Sequence, residues 1–118
     1  MPEIALDDFS IKSEKEVIMA IKIVIKRQFK ADTAEKAFAL LNKFRLDAMN
    51  LPGYISGETW VNHYDPCSIT VVSTWQTVED WIRWKESDER AANEEMLESL
   101  LEQRTKFEVY DLGKLPDK

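Results

Sequence analysis

Apolar residues recur at two alternating periods along this chain, and the alternation orders the elements. In residues 17–29, Ile21, Ile23 and Ile25 alternate with Lys22, Val24 and Lys26, the two-residue period of a strand. The period then lengthens: Ala34, Ala37, Phe38, Leu41, Phe44 and Ala48 fall at helical spacing. Asp32 stands three residues before Glu35 in a capping-box arrangement, so a helix is expected from there to about Asn50, stopped by Pro52-Gly53. Residues 54–64 return to a strand pattern. Asp65-Pro66-Cys67-Ser68 has the chemistry of a turn, and residues 69–75 form a third strand, closing a hairpin. Thr77 caps a helix carrying Val78, Trp81, Ile82 and Trp84, with Asp80 at its third position. Ser87 opens another, with Asp88 and Glu89 in its first turn and a buried stripe expected at Ala92, Met96 and Leu100, flanked by Leu97 and Leu101. Phe107, Val109 and Tyr110 belong to a last strand.

The order strand, helix, strand, strand, helix, strand predicts an α+β, ferredoxin-like βαββαβ domain with a four-stranded antiparallel sheet. Its expected limits are residues 17–112, after an N-terminal extension at 1–16 and before a C-terminal tail at 113–118. Both strand phases carry apolar bulk: Ile55, Val61, Ile69, Val71 and Trp75 on one, Trp60, Val24 and Val72 on the other. With helices on one face, the second face also needs a cover, and a second copy of the chain is the simplest.

Composition narrows the partners. The 118 residues suit one domain and carry a net charge of −6, with 12 acids against 7 bases in residues 76–118. Such a charge repels nucleic acid and anionic lipid, and the third strand, ITVVSTW, lacks the basic and aromatic run with which sheets of this order stack RNA bases. The run VIMAIKIVI is too short to span a bilayer. One cysteine, Cys67, permits no internal disulfide, and no signal-peptide pattern opens the chain, so a cytoplasmic protein is expected. One His and one Cys supply no conventional zinc or iron set, and no cofactor is expected.

The segments PGYISGETW, the hairpin ending in STW, EDWIRWKESDERAA and TKFEVYDL together resemble the antibiotic biosynthesis monooxygenase family over roughly residues 17–112. The resemblance implies a dimeric α+β barrel with a pocket between sheet and helices in each subunit. In some members that pocket oxidises aromatic polyketides or quinols without metal or flavin, and other members degrade haem. The haem-degrading relatives use an asparagine in the first strand and a histidine on the helix after the tryptophan junction. Here VIMAIKIVIKRQF contains no Asn, and Glu94 stands near the histidine's place, so haem degradation is not expected. The resemblance therefore implies a cofactor-independent monooxygenase of a small aromatic or quinol-type substrate, or a non-catalytic ligand-binding or stress-associated module of the same fold.

Several side chains are candidates for such a pocket, each with a plainer reading beside it. Gly57 is either a bulge or close packing, or the floor of the pocket. Trp84 matches the family's pocket tryptophan, and Trp81, three residues earlier, leans the same way, although aromatics at this spacing also serve as core. Trp60 is assigned to the dimer interface. His63, the one side chain that ordinarily titrates near neutrality, is the candidate base, or else supports the Asp65 turn. Asn62 and Arg83 are candidates for hydrogen bonding the substrate anion. Glu94, Glu95, Glu98 and Glu102 read as a solvated helix face.

Overall fold

A computed structural model describes residues 20–113 and 115; the extension at 1–16, the start of the first expected strand and most of the tail lie outside them. Within that range run β1 (Ile21–Gln28), α1 (Ala34–Ala48), β2 (Tyr54–Asn62), β3 (Asp65–Trp75), α2 (Val78–Lys85), α3 (Asp88–Glu98) and β4 (Lys106–Asp111). The strands form one antiparallel sheet in the order β2-β3-β1-β4, which is the ferredoxin-like βαββαβ arrangement with the second crossover split into two helices. No helix among the described residues is long and apolar enough to cross a membrane.

Register assigns the two faces. Ile21 lies opposite Trp75, Ile23 opposite Ser73, Ile25 opposite Val71 and Arg27 opposite Ile69, and this face packs against the helices. Its core has two halves: Phe29, Ile69, Leu41, Phe44 and Leu97 at one end, and Ile21, Ile23, Ile25, Trp75 and Trp81 at the other. The opposite face is mixed. Val24, Val72, Trp60 and Tyr110 share it with Lys26 and Glu108, which form an ion pair at 3.4 Å. Trp60 is 54% exposed there, and its indole N–H donates to Glu58 at 2.8 Å.

Four local expectations are corrected. The hairpin reverses at His63-Tyr64, and β3 already begins at Asp65; the Asn62 side-chain oxygen accepts from the backbone N–H groups of Tyr64 (2.8 Å) and Asp65 (3.1 Å), so this asparagine makes the turn that Asp65-Pro66 had suggested. The register slip that follows, between Val61 and Asn62, absorbs the Pro66 region. At α1 the N-cap is Thr33, without a side-chain cap bond, and Asp32 sits at φ 67, a left-handed conformation that Asp tolerates better than most residues. In α3 the buried face is Arg90, Asn93 and Leu97, continued by Leu100, while Ala92 and Met96 are exposed. The caps at Thr77 and Ser87 have the expected geometry: each hydroxyl accepts from the N–H three residues on.

The fourth correction is at PGYISGETW. Tyr54 pairs with Trp75 and Ser56 with Thr74, leaving Ile55 as an extra, half-exposed residue in a bulge rather than on Val61's phase. The bulge keeps Tyr54 on the helix face, edge-on to Trp75 at 5.3 Å between ring centres. Its ring then passes over Gly57. A Cβ there would fall against the Tyr54 hydroxyl, whereas the next atom, the ring carbon bearing it, is 3.4 Å away. The absent side chain at Gly57 is thus the space that Tyr54 fills. Gly57→Ala is expected to lower unfolding stability by roughly 1–3 kcal/mol through overpacking. In a Tyr54→Phe background most of that cost should vanish. Urea denaturation of the four proteins tests this, and an equal cost in both backgrounds would contradict it.

Candidate functional site

Between the helix face of the sheet and the helices lies a cavity that opens to solvent at its mouth. It occupies the gap between the two halves of the core: Ile25, Leu41 and Phe44 form its apolar floor, and Tyr54, Trp75, Trp81 and Trp84 its aromatic wall. The wall is fixed from several sides. Trp75 donates from its indole N–H to the Ser73 hydroxyl at 3.0 Å, and Trp81 stands 6.0 Å from Trp75 between ring centres. The Ser87 hydroxyl donates to the Trp84 carbonyl at 2.7 Å while accepting from the Arg90 N–H at 3.1 Å. One side chain therefore ties the tryptophan junction to the start of α3.

Polar groups close the remaining side. Arg27 comes from β1, and Arg90, Asn93 and Glu94 come from α3. Arg27 Nη2 donates to Glu94 Oε2 at 2.7 Å, and Arg90 Nη2 lies 3.6 Å from the same oxygen. Arg27 is 5% exposed, and Arg90 and Asn93 are each 8% exposed. Two guanidinium groups thus share one carboxylate in a site largely withdrawn from water. Three donors, Arg27 Nε, Arg90 Nη2 and Asn93 Nδ2, have no hydrogen-bond partner among the described residues. The Arg90 guanidinium also rests 5.3 Å from the centre of the Trp81 ring and 5.5 Å from that of Phe107. Burial pulls its pKa below the ordinary arginine value, with Glu94 opposing the shift and Arg27 adding to it. On the other wall, burial raises the Tyr54 phenol and Arg45 opposes it.

Of the residues singled out in the sequence, Gly57, Trp81 and Trp84 line this cavity. Asn62 and His63 do not: Asn62 is engaged by its own turn, and His63 is exposed at the hairpin tip with its ring edge-on to Tyr64. A two-residue turn carries both to the far end of β2, away from the cavity lining. Arg83 also lies outside the lining. Its side chain is 67% exposed, pairs with Asp80 at 2.9 Å, and borders a separate groove that Trp84 shares with Leu51 and Pro52. Trp60 belongs to the opposite sheet face.

Glu94 is corrected from a solvated face to a cavity residue. The sequence reading also missed Arg27, Arg90 and Asn93, and both sets left a signal. Arg27 falls on the phase of Ile21, Ile23 and Ile25, a charge where the strand points inward. Arg90, Asn93 and Leu97 are spaced at i, i+3 and i+7, one face of a helix. Among the described residues no group of three or more His, Cys, Asp or Glu is placed to hold a metal ion.

No protein-family model matches the chain, and no curated protein does. Solved structures do. A conserved protein from Methanosarcina mazei Go1 superposes with a TM-score of 0.77 at 18% identity, covering 84% of this chain and 98% of its own. An antibiotic biosynthesis monooxygenase superposes at 0.72 and 11%, covering 81% and 99%. A variant of SnoaB from Streptomyces nogalater, a cofactor-independent oxygenase, superposes at 0.72 and 8%, covering 84% and 98%. At these identities the likeness is one of fold. The chain has the fold of the antibiotic biosynthesis monooxygenases.

Proposed function

We propose that the chain acts as a cytoplasmic, homodimeric, cofactor-independent monooxygenase of a small aromatic or quinol-type molecule held in this cavity. The observation that carries it is the combination of an aromatic wall with a buried guanidinium beside it: Trp81 and Trp84 line the space a planar ring would take, and Arg90 and Asn93 offer donors to an oxygen on that ring. The shared fold with a cofactor-independent oxygenase supports the same reading.

In such a reaction the substrate supplies every electron. In the keto tautomer of such a phenol a ring carbon bearing two hydrogens loses one proton, the carbanion combines with O₂ to a peroxide anion that takes a proton back from water, and the hydroperoxide loses water to leave a carbonyl. One oxygen atom stays in the product and the other leaves as water. The protein's part is to hold the ring, exclude water from it and stabilise the developing anion. Arg90 and Asn93 take that last role in place of Asn62 and Arg83. His63 lies outside the cavity lining and takes no part in this scheme, and Glu94 is already engaged by Arg27 at 2.7 Å. The proton therefore passes to water at the open mouth, drawn by stabilisation of the anion.

A second reading, a non-catalytic binding module, is favoured by one specific observation: Glu94 is the only carboxylate in the cavity lining, and it is ion-paired. Oxygen uptake with dihydroxyanthracenes and quinols separates the two. The oxygenase is expected to consume oxygen above the spontaneous rate, with Trp84→Ala slowed by roughly tenfold or more and His63→Ala unchanged. No uptake, together with a ligand found by thermal shift, would select the binding module.

The homodimer is proposed to join the mixed sheet faces, where Trp60 and Tyr110 stand exposed beside Val24. Light scattering should give twice the 13.8 kDa chain mass and Trp60→Glu should shift it towards one. A wild-type monomer at micromolar concentration would contradict the assembly.

A further inference from the structure

Resting on the reading of this cavity as the substrate site, we infer that its ligand is an aromatic acid: a ring bearing a carboxylate, bound with the carboxylate among Arg27, Arg90 and Asn93. Two guanidinium groups, Arg27 and Arg90, stand beside Glu94, the one carboxylate in the cavity lining among the described residues, while a third lining arginine, Arg45, acts on Tyr54 on the other wall. One positive charge is therefore left over in a place shielded from water, which is costly unless an anion completes it. The groups in this cluster without a hydrogen-bond partner among the described residues are all donors: Arg27 Nε, Arg90 Nη2, which has only the 3.6 Å ion pair to Glu94, and Asn93 Nδ2. A neutral quinol brings hydroxyl groups that must themselves donate, and it adds no charge. A carboxylate brings two oxygens that only accept, is ionised throughout the neutral range, and matches arginine in fork geometry.

The placement of the ring follows. Arg90 already rests against the Trp81 and Phe107 rings, 5.3 and 5.5 Å from their centres, and these contacts restrict its guanidinium before any ligand arrives. An acid whose carboxylate meets Arg90 lays its ring along the tryptophan wall towards Trp84 and the open mouth. Glu94 acts against the ligand by competing for both arginines, and it sets how tightly the anion is held. This predicts opposite effects for two neighbouring α3 residues, which a merely structural role for either would not produce.

Calorimetric titration with 1-hydroxy-2-naphthoate, its methyl ester and 1-naphthol tests the inference. The acid is expected to bind at least tenfold tighter than the ester or the naphthol, with affinity flat between pH 6 and 9. Arg90→Gln should remove the difference, and Glu94→Gln, which keeps an acceptor for Arg27, should enlarge it several-fold. Should Arg90→Gln fail to fold, the Glu94→Gln and pH arms still decide. Equal binding of acid and ester overturns the inference, as does a naphthol affinity that climbs with pH to match the acid, which would assign the site to a phenolate. Oxygen uptake on the same compounds distinguishes this from the activity: tight acid binding without uptake leaves the aromatic-acid site standing and removes the oxygenase, whereas uptake with neutral quinols and no preference for the acid does the reverse.

Discussion

The ion pair between Arg27 and Glu94 ties the centre of the sheet to the helix that roofs it. β1 is a central strand and α3 lies over its end, and at 2.7 Å the pair fixes the spacing between them on the side where the apolar core is interrupted. Without it, Arg27 would be a buried cation with no counter-charge, and Arg90 would face it across the same cavity. Removing one partner of a buried pair typically costs about 3–5 kcal/mol, whereas replacing a whole pair by apolar side chains is often neutral or stabilising. A cluster of this kind is therefore a poor way to gain stability, and its presence in an aromatic-walled cavity is what points to a ligand.

The aromatic wall depends on a different constraint, the bulge at Ile55. With regular pairing, Tyr54 would turn to the other sheet face. The extra residue returns it to the helix side, where it meets Trp75 and covers Gly57. Trp81 reaches the same wall from α2, whose start is fixed by Thr77 and Asp80, and Ser87 sets the angle at which α3 leaves. The site is thus held by regular elements and their caps rather than by loops, which suits a cavity that must present preset donors.

The element order was legible because the hydrophobic periods change cleanly, and the caps at Thr77 and Ser87 were legible because each hydroxyl stands directly before its helix. The hairpin turn was misplaced because two turn signals compete within four residues: Asp65-Pro66 has the commoner signature, but Asn62 satisfies two backbone N–H groups at once. The aromatic half of the site was readable from Gly57, Trp81 and Trp84. Its charged half was not: Glu94 reads as part of a solvated helix face and Arg27 and Arg90 drew no assignment, and only the phase of Ile21, Ile23 and Ile25 and the face of Leu97 betray that these side chains point inward. His63 attracted the role of base through its chemistry alone, and its position at the hairpin tip follows from a turn that composition does not fix.

The central claim is that the cavity between sheet and helices is where a ligand binds. The chain's four tryptophans allow one spectrum to test it, since Trp75, Trp81 and Trp84 line the cavity and Trp60 stands on the opposite face. In a ¹⁵N-labelled sample titrated with 1-hydroxy-2-naphthoate, the indole N–H signals of Trp81 and Trp84 are expected to shift most and that of Trp60 to stay in place. Shifts concentrated at Trp60 or around His63, with Trp81 and Trp84 unmoved, would contradict the account.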